Sequence, residues 1–348
     1  MNKIDIMETQ ISVIVTSIAK PNKVLRRLAR GCKEHGFNFI IIGDVSSPVD
    51  FRINNCQFYS LKRQRETNLK YPRICPQRHY SRKNVGYLFE IQKGTEIIFE
   101  TDDDNLPYQS FWDSRNRVLK VPTIKTQGWV NVYRYFTNEL IWPRGLPLNK
   151  INMHNQLYES LPIKTVDCPI QQGLVNNNPD VDAVFRLIHS KSIVFSDVRK
   201  LALAKGVWCP FNSQNTAWWK DAFPLLYLPS YCSFRMTDII RSFVAQRIAW
   251  ENDWAILFHE PTMWQERNKH DLMKDFNDEI PGYLNNEKTC DELEKLHLKR
   301  GIGYLTENLL ICYEKLIESG VVNKREIQLL EKWIKDLEDI NSMKKNHI

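Results

Sequence analysis

Three consecutive aspartates, Asp102, Asp103 and Asp104, follow Glu96-Ile97-Ile98-Phe99-Glu100, a run with the composition of a buried β-strand. Like charges at the end of such a strand repel one another and lose solvation. A hard divalent cation, Mn2+ or Mg2+, relieves both costs, because carboxylates suit ions that keep water and bind phosphate. In an extended Asp-x-Asp segment alternate side chains share a face. Asp102 and Asp104 are therefore the candidate metal ligands, and Asp103 faces a water or a sugar hydroxyl. Two rival readings use the same residues. One is an acidic turn, since Asp-Asp-Asp-Asn is good turn and cap chemistry. The other is the aspartyl nucleophile of a phosphatase, which wants the motif on the first strand with Ser or Thr soon after; here at least three strands precede it and the chain continues Asn105-Leu106-Pro107.

A basic stretch lies upstream. Between Lys62 and Lys83 stand eight Lys and Arg residues against one acid, Glu66, in a chain whose formal charge is +7. Such a patch is a footprint for phosphate, or else a solvated loop. Two other acidic positions bear on the same chemistry. Asp44 ends an apolar run at Gly43-Asp44, and Asp238 precedes the helical pattern Ile239–Trp250. A carboxylate at a helix start is stabilised by the macrodipole and stays ionised, ready to take a proton. Its rival is an N-cap aspartate without chemistry.

The elements that must position these groups can be read from periodicity. Ile11–Ser17 is a β-branched run of the kind buried on both sheet faces. Lys23–His35 has helical spacing and ends at Gly36. Phe37–Ile42 is a second strand, so the chain opens strand–helix–strand and calls for a parallel sheet with right-handed crossovers. Cys56–Leu61 reads as a third strand, Asn84–Lys93 as a helix stopped by Gly94, and Glu96–Glu100 as a further strand. In open α/β sheets ligands bind beyond the carboxyl ends of the strands, so Asp44, the aspartate run and the basic loop should meet in one crevice. Residues 106–280 are aromatic and irregular. Leu305–Ile317 and Lys324–Leu337, broken near Gly320, read as amphipathic helices docked on a domain or on a second subunit.

At 348 residues, 43% hydrophobic and 26% charged, the chain is of ordinary globular composition. No apolar run approaches the roughly 18 residues of a membrane span. The opening MNKIDIMETQ lacks the apolar stretch of a signal peptide. The eight cysteines form no CxxC pair and read as reduced thiols, so the expected location is cytoplasmic.

Several ordered motifs resemble the STELLO-type glycosyltransferase-like family and, more distantly, the reversibly glycosylated polypeptides that include UDP-arabinopyranose mutases. They are a first strand carrying Thr16-Ser17, a second ending in Gly43-Asp44, Tyr80-Ser81-Arg82-Lys83-Asn84-Val85-Gly86, Glu100-Thr101-Asp102-Asp103-Asp104-Asn105, Trp142-Pro143-Arg144-Gly145-Leu146-Pro147, Asn178-Pro179-Asp180-Val181-Asp182-Ala183, Pro210-Phe211-Asn212-Ser213-Gln214-Asn215 and Phe234-Arg235-Met236-Thr237-Asp238. The resemblance spans about residues 10–280. It implies an α/β chain of the GT-A (Rossmann-like) fold with a nucleotide-sugar-binding half at about 10–105, an acceptor half at 106–280, and a helical extension at 281–348. The family's proteins are membrane-anchored, a feature this sequence does not display.

The resemblance also distributes roles. Thr16 and Ser17 would line the base or ribose pocket, and Asp44 would accept a uracil N3–H or simply form a turn. Arg82, Lys83, Asn84 and Asp103 would meet ribose or diphosphate, with Gly86 permitting close approach. Arg144 would neutralise a phosphate or an acidic sugar, unless it is a buried structural arginine. Asp180 and Asp182 would hold sugar hydroxyls or cap a turn. Asp238 would be the acceptor's base, and His259 would complete the metal site in preference to His270. The function implied is a metal-dependent glycosyltransferase moving a sugar, from a UDP-sugar by preference, to a saccharide or glycan acceptor. The alternative is a nucleotide-sugar mutase. Nucleic-acid binding is disfavoured, since no such motif is present and the aspartate run would repel a phosphate backbone. The C-terminal helices offer a surface for a homo-oligomer.

Overall fold

The structure, a computed structural model, describes residues 9–189, 191–196, 198–266, 268 and 271–345; His270 lies outside them. Its strands are β1 (Ile11–Thr16), β2 (Asn38–Ile42), β3 (Gln57–Tyr59), β4 (Ile97–Thr101), β5 (Asn105–Pro107), β6 (Val118–Ile124), β7 (Gly128–Trp129), β8 (Ile163–Asn176), β9 (Lys200–Leu203), β10 (Val207–Trp208), β11 (Asn215–Trp219) and β12 (Trp254–Gln265). Its helices are α1 (Lys23–Glu34), α2 (Leu61–Arg65), α3 (Tyr71–Ile74), α4 (Lys83–Lys93), α5 (Ala183–Ile188), α6 (Thr237–Ala249), α7 (Leu272–Glu294), α8 (Leu305–Glu318) and α9 (Glu326–Lys345).

The large sheet has the order β3-β2-β1-β4-β11-β8-β6-β9-β12-β5. Strands β3, β2, β1 and β4 are parallel, and β11 runs antiparallel to β4. This is the α/β, Rossmann-like half expected for a GT-A fold. Beyond it, β8 pairs with both β6 and β12, so the pairings β8-β6-β9-β12 close on themselves.

Both faces of β1, β2 and β4 are covered, which is why these strands are mostly apolar. Val13 and Val15 meet Val24, Leu25 and Leu28 of α1 on one face, while Ile14 joins Val85 and Leu88 of α4 on the other. Helix α1 starts at Asn22, whose side chain accepts the Leu25 N–H at 2.9 Å, and ends before Gly36 at φ +72°. Gly86 serves packing. A Cβ there would lie 2.8 Å from side-chain carbons of Ile14 and Ile42, so the close approach it permits is of α4 to the sheet and not to a ligand.

The C-terminal helices depart from the expected appendage. The boundary at 280/281 falls inside α7, and Cys290, Leu309, Leu330 and Trp333 are buried in the same apolar cluster as Ile14 and Leu88. The surface that receives their apolar stripe is therefore the chain's own domain. Asp336 accepts the backbone N–H groups of Lys70 (2.8 and 2.9 Å) and Tyr71 (2.7 Å), which fastens the basic loop to α9. Glu326 does the same for Ser230 and Tyr231. The eight cysteines are free thiols, and no helix among the described residues is long and apolar enough to cross a membrane.

Candidate functional site

Two cavities adjoin at the carboxyl ends of β1 and β4. One, of about 240 Å³, is lined by Asp102, Asp103, Asp104, Arg144, Asp180 and Asp238 among others. The second, of about 440 Å³, is lined by Ser17, Asp44, Arg78, His79, Tyr80, Arg82 and Phe234 among others. Thr16 and Asp103 line both. The structure thus brings together the aspartate run, Asp44 and, from the basic loop, Arg78 and Arg82, as strand ends led one to expect, with Thr16 and Ser17 beside them as the resemblance implied.

Around the aspartates the contacts differ residue by residue. The Lys83 ammonium is fully buried and donates to Asp102 Oδ1 (3.1 Å), the Thr101 carbonyl (3.0 Å) and the Ser213 carbonyl (3.4 Å). Burial, with Asp104 and Asp103 adding repulsion, outweighs Lys83 and pushes the Asp102 carboxyl up to about 6. Asp103 accepts from Ser17 Oγ at 2.5 Å, which ties the end of β4 to the end of β1. Asp104 accepts from Gln265 Nε2 (3.1 Å) and Asn268 Nδ2 (3.2 Å).

Arg144 binds both Asp180, with Nε at 2.8 Å and Nη2 at 2.7 Å, and Asp238, with Nη2 at 3.0 Å from each oxygen; its Nη1 donates to the Arg235 carbonyl. Its donors are thus committed to two carboxylates and a carbonyl, so the expected phosphate-neutralising role does not fit. The wall carries net negative charge. Asp238 lies in the first turn of α6 with its side chain capping nothing, so the N-cap alternative falls away. Its carboxylate also accepts from the Ser213 N–H at 3.2 Å. Burial acts to raise its pKa, but Arg144 and then Arg241 outweigh it and hold the carboxyl down at about 2. The macrodipole invoked from sequence is not needed to account for that depression.

Three candidates, Asp182, Asn84 and His259, sit elsewhere than expected, and a fourth, Arg82, lines the second cavity with its guanidinium bonded to the protein. Asp182 is fully buried and caps α5, accepting the Phe185 N–H at 2.8 Å and the Trp142 indole N–H at 2.6 Å; burial pushes it up to about 7. It holds a turn, not a sugar. Asn84 joins α4 to a neighbouring loop, giving its amide to the Tyr71 hydroxyl and Leu228 carbonyl and accepting the Leu228 N–H. The Arg82 guanidinium braces the basic loop through Gln64 and the Cys75 and Pro76 carbonyls. His259 is not brought to the aspartates. It lines a separate cavity with Arg115 and Glu260, and its Nδ1 lies 2.9 Å from the Glu260 carbonyl.

Sequence reasoning missed an aromatic wall. His79 stacks on Tyr80, and Phe234 meets Tyr80 edge-on at 5.2 Å between ring centroids. The Tyr80 hydroxyl accepts the Asp238 N–H at 2.9 Å, linking the two cavities. Burial drives the His79 imidazole down to about 4, so it is neutral at physiological pH. The signal was available: Tyr80 opens one quoted motif and Phe234 another, but no periodicity marks an aromatic as facing a ligand. Also missed was Glu100, which receives the Arg241 guanidinium and the Trp218 indole N–H beneath the site.

Residues 235–346 match the family model described as STELLO glycosyltransferases. Two curated Arabidopsis thaliana proteins are similar. "Probable glycosyltransferase STELLO2" is 29% identical over 346 residues, covering 93% of this chain and 44% of that protein. "Probable glycosyltransferase STELLO1" is 32% identical over 269 residues, covering 72% of this chain and 34% of that protein. The chain thus spans less than half the length of these relatives. A solved M. tuberculosis glucosyl-3-phosphoglycerate synthase is 11% identical and covers 81% of each chain at a TM-score of 0.39, too loose a likeness to carry an argument.

Proposed function

We propose, because this chain belongs to the STELLO glycosyltransferase family, that it transfers a sugar from a nucleotide-sugar donor, with a UDP-sugar favoured, to a saccharide or glycan acceptor. The observation that carries the proposal is that the two cavities adjoin at Thr16 and Asp103, which line both. A nucleoside fits the cavity with Asp44 and the wall of His79, Tyr80 and Phe234. Its diphosphate then crosses the ends of β1 and β4, and the sugar reaches the carboxylates around Arg144.

A divalent cation, Mn2+ or Mg2+, fits the chemistry of this crossing. Asp102 and Asp104 would hold it: both are oxygen donors lining the same cavity, and burial, followed by the neighbouring aspartates, raises the Asp102 pKa despite Lys83, a cost that a bound cation would offset. No group of three His, Cys, Asp or Glu among the described residues could hold a metal alone. The protein would thus supply one or two carboxylates and the donor phosphates the rest, the usual pattern for Mg2+. When bound, the ion would neutralise charge on the leaving diphosphate.

The protein's own groups do the remaining work. Lys83, fully buried and held by oxygens of Thr101, Asp102 and Ser213, lines neither cavity and would act on the diphosphate through its charge beside Asp102. Asp180, the more open partner of Arg144 with its side chain 11% exposed against 4% for Asp238, would take the acceptor hydroxyl's proton. Asp238, held near pKa 2, is a weak base and fixes Arg144 instead. The test is a thermal-shift panel of UDP-, GDP- and CMP-sugars with and without Mn2+. Saturating binding at 100 times Kd stabilises by about 2.7 kcal/mol, so a metal-dependent rise in Tm with a UDP-sugar is expected, and its absence with every donor removes the proposal. Product formation without an acceptor would identify a mutase.

A further inference from the structure

We propose that the cavity beside His259 is a second carbohydrate-binding site, taking a pyranose ring through its hydroxyl groups. It shares no lining residue with the cleft at Asp102–Asp104 or with the nucleoside-side cavity. The two proposals therefore stand or fall separately.

The cavity measures about 320 Å³ and draws on β6, β8, β9 and β12, the strands whose pairings close on themselves. That volume is within the range of small-ligand pockets, roughly 300–1,000 Å³, and about tenfold the ~30 Å³ share of one water. Buried polar atoms in folded proteins are almost always hydrogen-bonded. Here three lining residues break that rule: among the described residues Arg115 Nη2, His259 Nε2 and Glu260 Oε2 are buried with no partner.

Their chemistry specifies the ligand. His259 is 4% exposed, and the contact of its Nδ1 with the Glu260 carbonyl assigns the proton to Nδ1. Nε2 therefore presents a lone pair. Glu260 Oε2 is a second acceptor, while the other carboxylate oxygen lies 3.8 Å from the Lys200 ammonium. The Arg115 guanidinium, stacked 4.5 Å over the Phe99 ring, presents a donor. A ligand must thus donate to two groups and accept from a third. A carboxylate has no hydrogen to give His259, and a phosphate, although it keeps an O–H near neutral pH, is repelled as an anion by Glu260. An ammonium cannot accept from Arg115. Neighbouring hydroxyls on a sugar ring do both, and Leu257 and Leu119 offer apolar contact for the ring carbons.

The experiment titrates methyl gluco-, galacto- and mannopyranosides into the full chain, with glycerol and inositol as controls, read by saturation-transfer NMR. One glycoside should bind saturably and in preference to its epimers. Its affinity should fall roughly tenfold in Arg115→Met and in His259→Leu, the cost of leaving one buried partner unpaired, and should be unchanged in Asp180→Asn. Arg115→Met decides the matter should His259→Leu not fold, because Arg115 lies only partly buried beside the cavity. No saturable binding, equal binding of glycerol and inositol, undiminished binding in Arg115→Met, or loss in Asp180→Asn would each overturn the proposal.

Discussion

Asparagine at position 238 separates a charge that holds the wall together from a group that moves a proton. Asp238 falls from an ordinary 3.8 to about 2 on folding although burial opposes the change, so Arg144 and Arg241 supply the deficit. At about 1.4 kcal/mol per pH unit, its ionisation contributes on the order of 2 kcal/mol to stability at neutral pH. The sign follows from the depressed folded value: the contribution is complete above the unfolded pKa near 4 and is lost as pH falls through about 2. Asp238→Asn should therefore unfold about 2 kcal/mol more easily in urea at pH 7, and the gap to the native protein should narrow between pH 4 and pH 2. Asn retains one acceptor oxygen for Arg144 or Ser213, so donor affinity should hold. Asp180→Asn should behave differently, with transfer falling by the roughly 10²–10⁴-fold typical of a lost base. If Asp238→Asn loses that much turnover at unchanged stability while Asp180→Asn stays active, the assignment of roles is wrong and Asp238 is the base.

Other perturbations test other links. Metal-dependent donor binding should weaken as pH falls through about 6, where Asp102 takes up a proton; calorimetric titration at pH 7.5 and 5.5 checks it, and equal affinities would place the metal elsewhere. In Gly86→Ala, overpacking against Ile14 and Ile42 should cost about 1–3 kcal/mol against the ~1 kcal/mol a helical alanine gains, a net loss of up to about 2 kcal/mol; a variant more stable in denaturant than the native protein would contradict the close approach of α4 to the sheet. Asp336→Asn should speed amide exchange at Lys70 and Tyr71, whose N–H groups Asp336 accepts, and should cost about 1–2 kcal/mol for the weakened charge-assisted bonds. Unaltered exchange at these two amides would show that α9 does not anchor the basic loop.

How much of this was legible in the sequence depended on whether a signal was local. The β1-α1-β2 opening, α4 with Gly94 and β4 before the aspartates were read within a residue or two, because each rests on hydrophobic period and a stop residue. The strand-end rule then placed Asp44 and Asp102–Asp104 together, and the family resemblance added Thr16 and Ser17 to them. Failures came where a residue type fits two roles and only tertiary packing chooses. Asp180 and Asp182 look equivalent two residues apart, yet one pairs with Arg144 at the cavity and the other caps α5. Asn84 and Arg82 sit in the expected motif, but their partners Leu228 and Gln64 lie on separate segments that no period announces. His259 was sought at the metal because a late histidine was wanted there; β12 carries it to a different cavity.

The same packing explains why the C-terminal helices belong to the site they never touch. Eight basic residues between Lys62 and Lys83 repel one another, and α2 and α3 are too short to fold alone. Something outside the loop must fix it. Arg82 spends its charge inward on Gln64 and two carbonyls, and Asp336 meets the backbone at the start of α3. Glu326 holds Ser230, whose hydroxyl lies 2.7 Å from that of Ser81, one residue from Tyr80 and two from Lys83. The aromatic wall and the Lys83 ammonium are thus positioned in part by carboxylates of α9. Loss of nucleotide binding on removing residues 285–348 is the consequence, and a folded truncation that still binds a nucleotide-sugar with native affinity would break this chain of contacts at its first link.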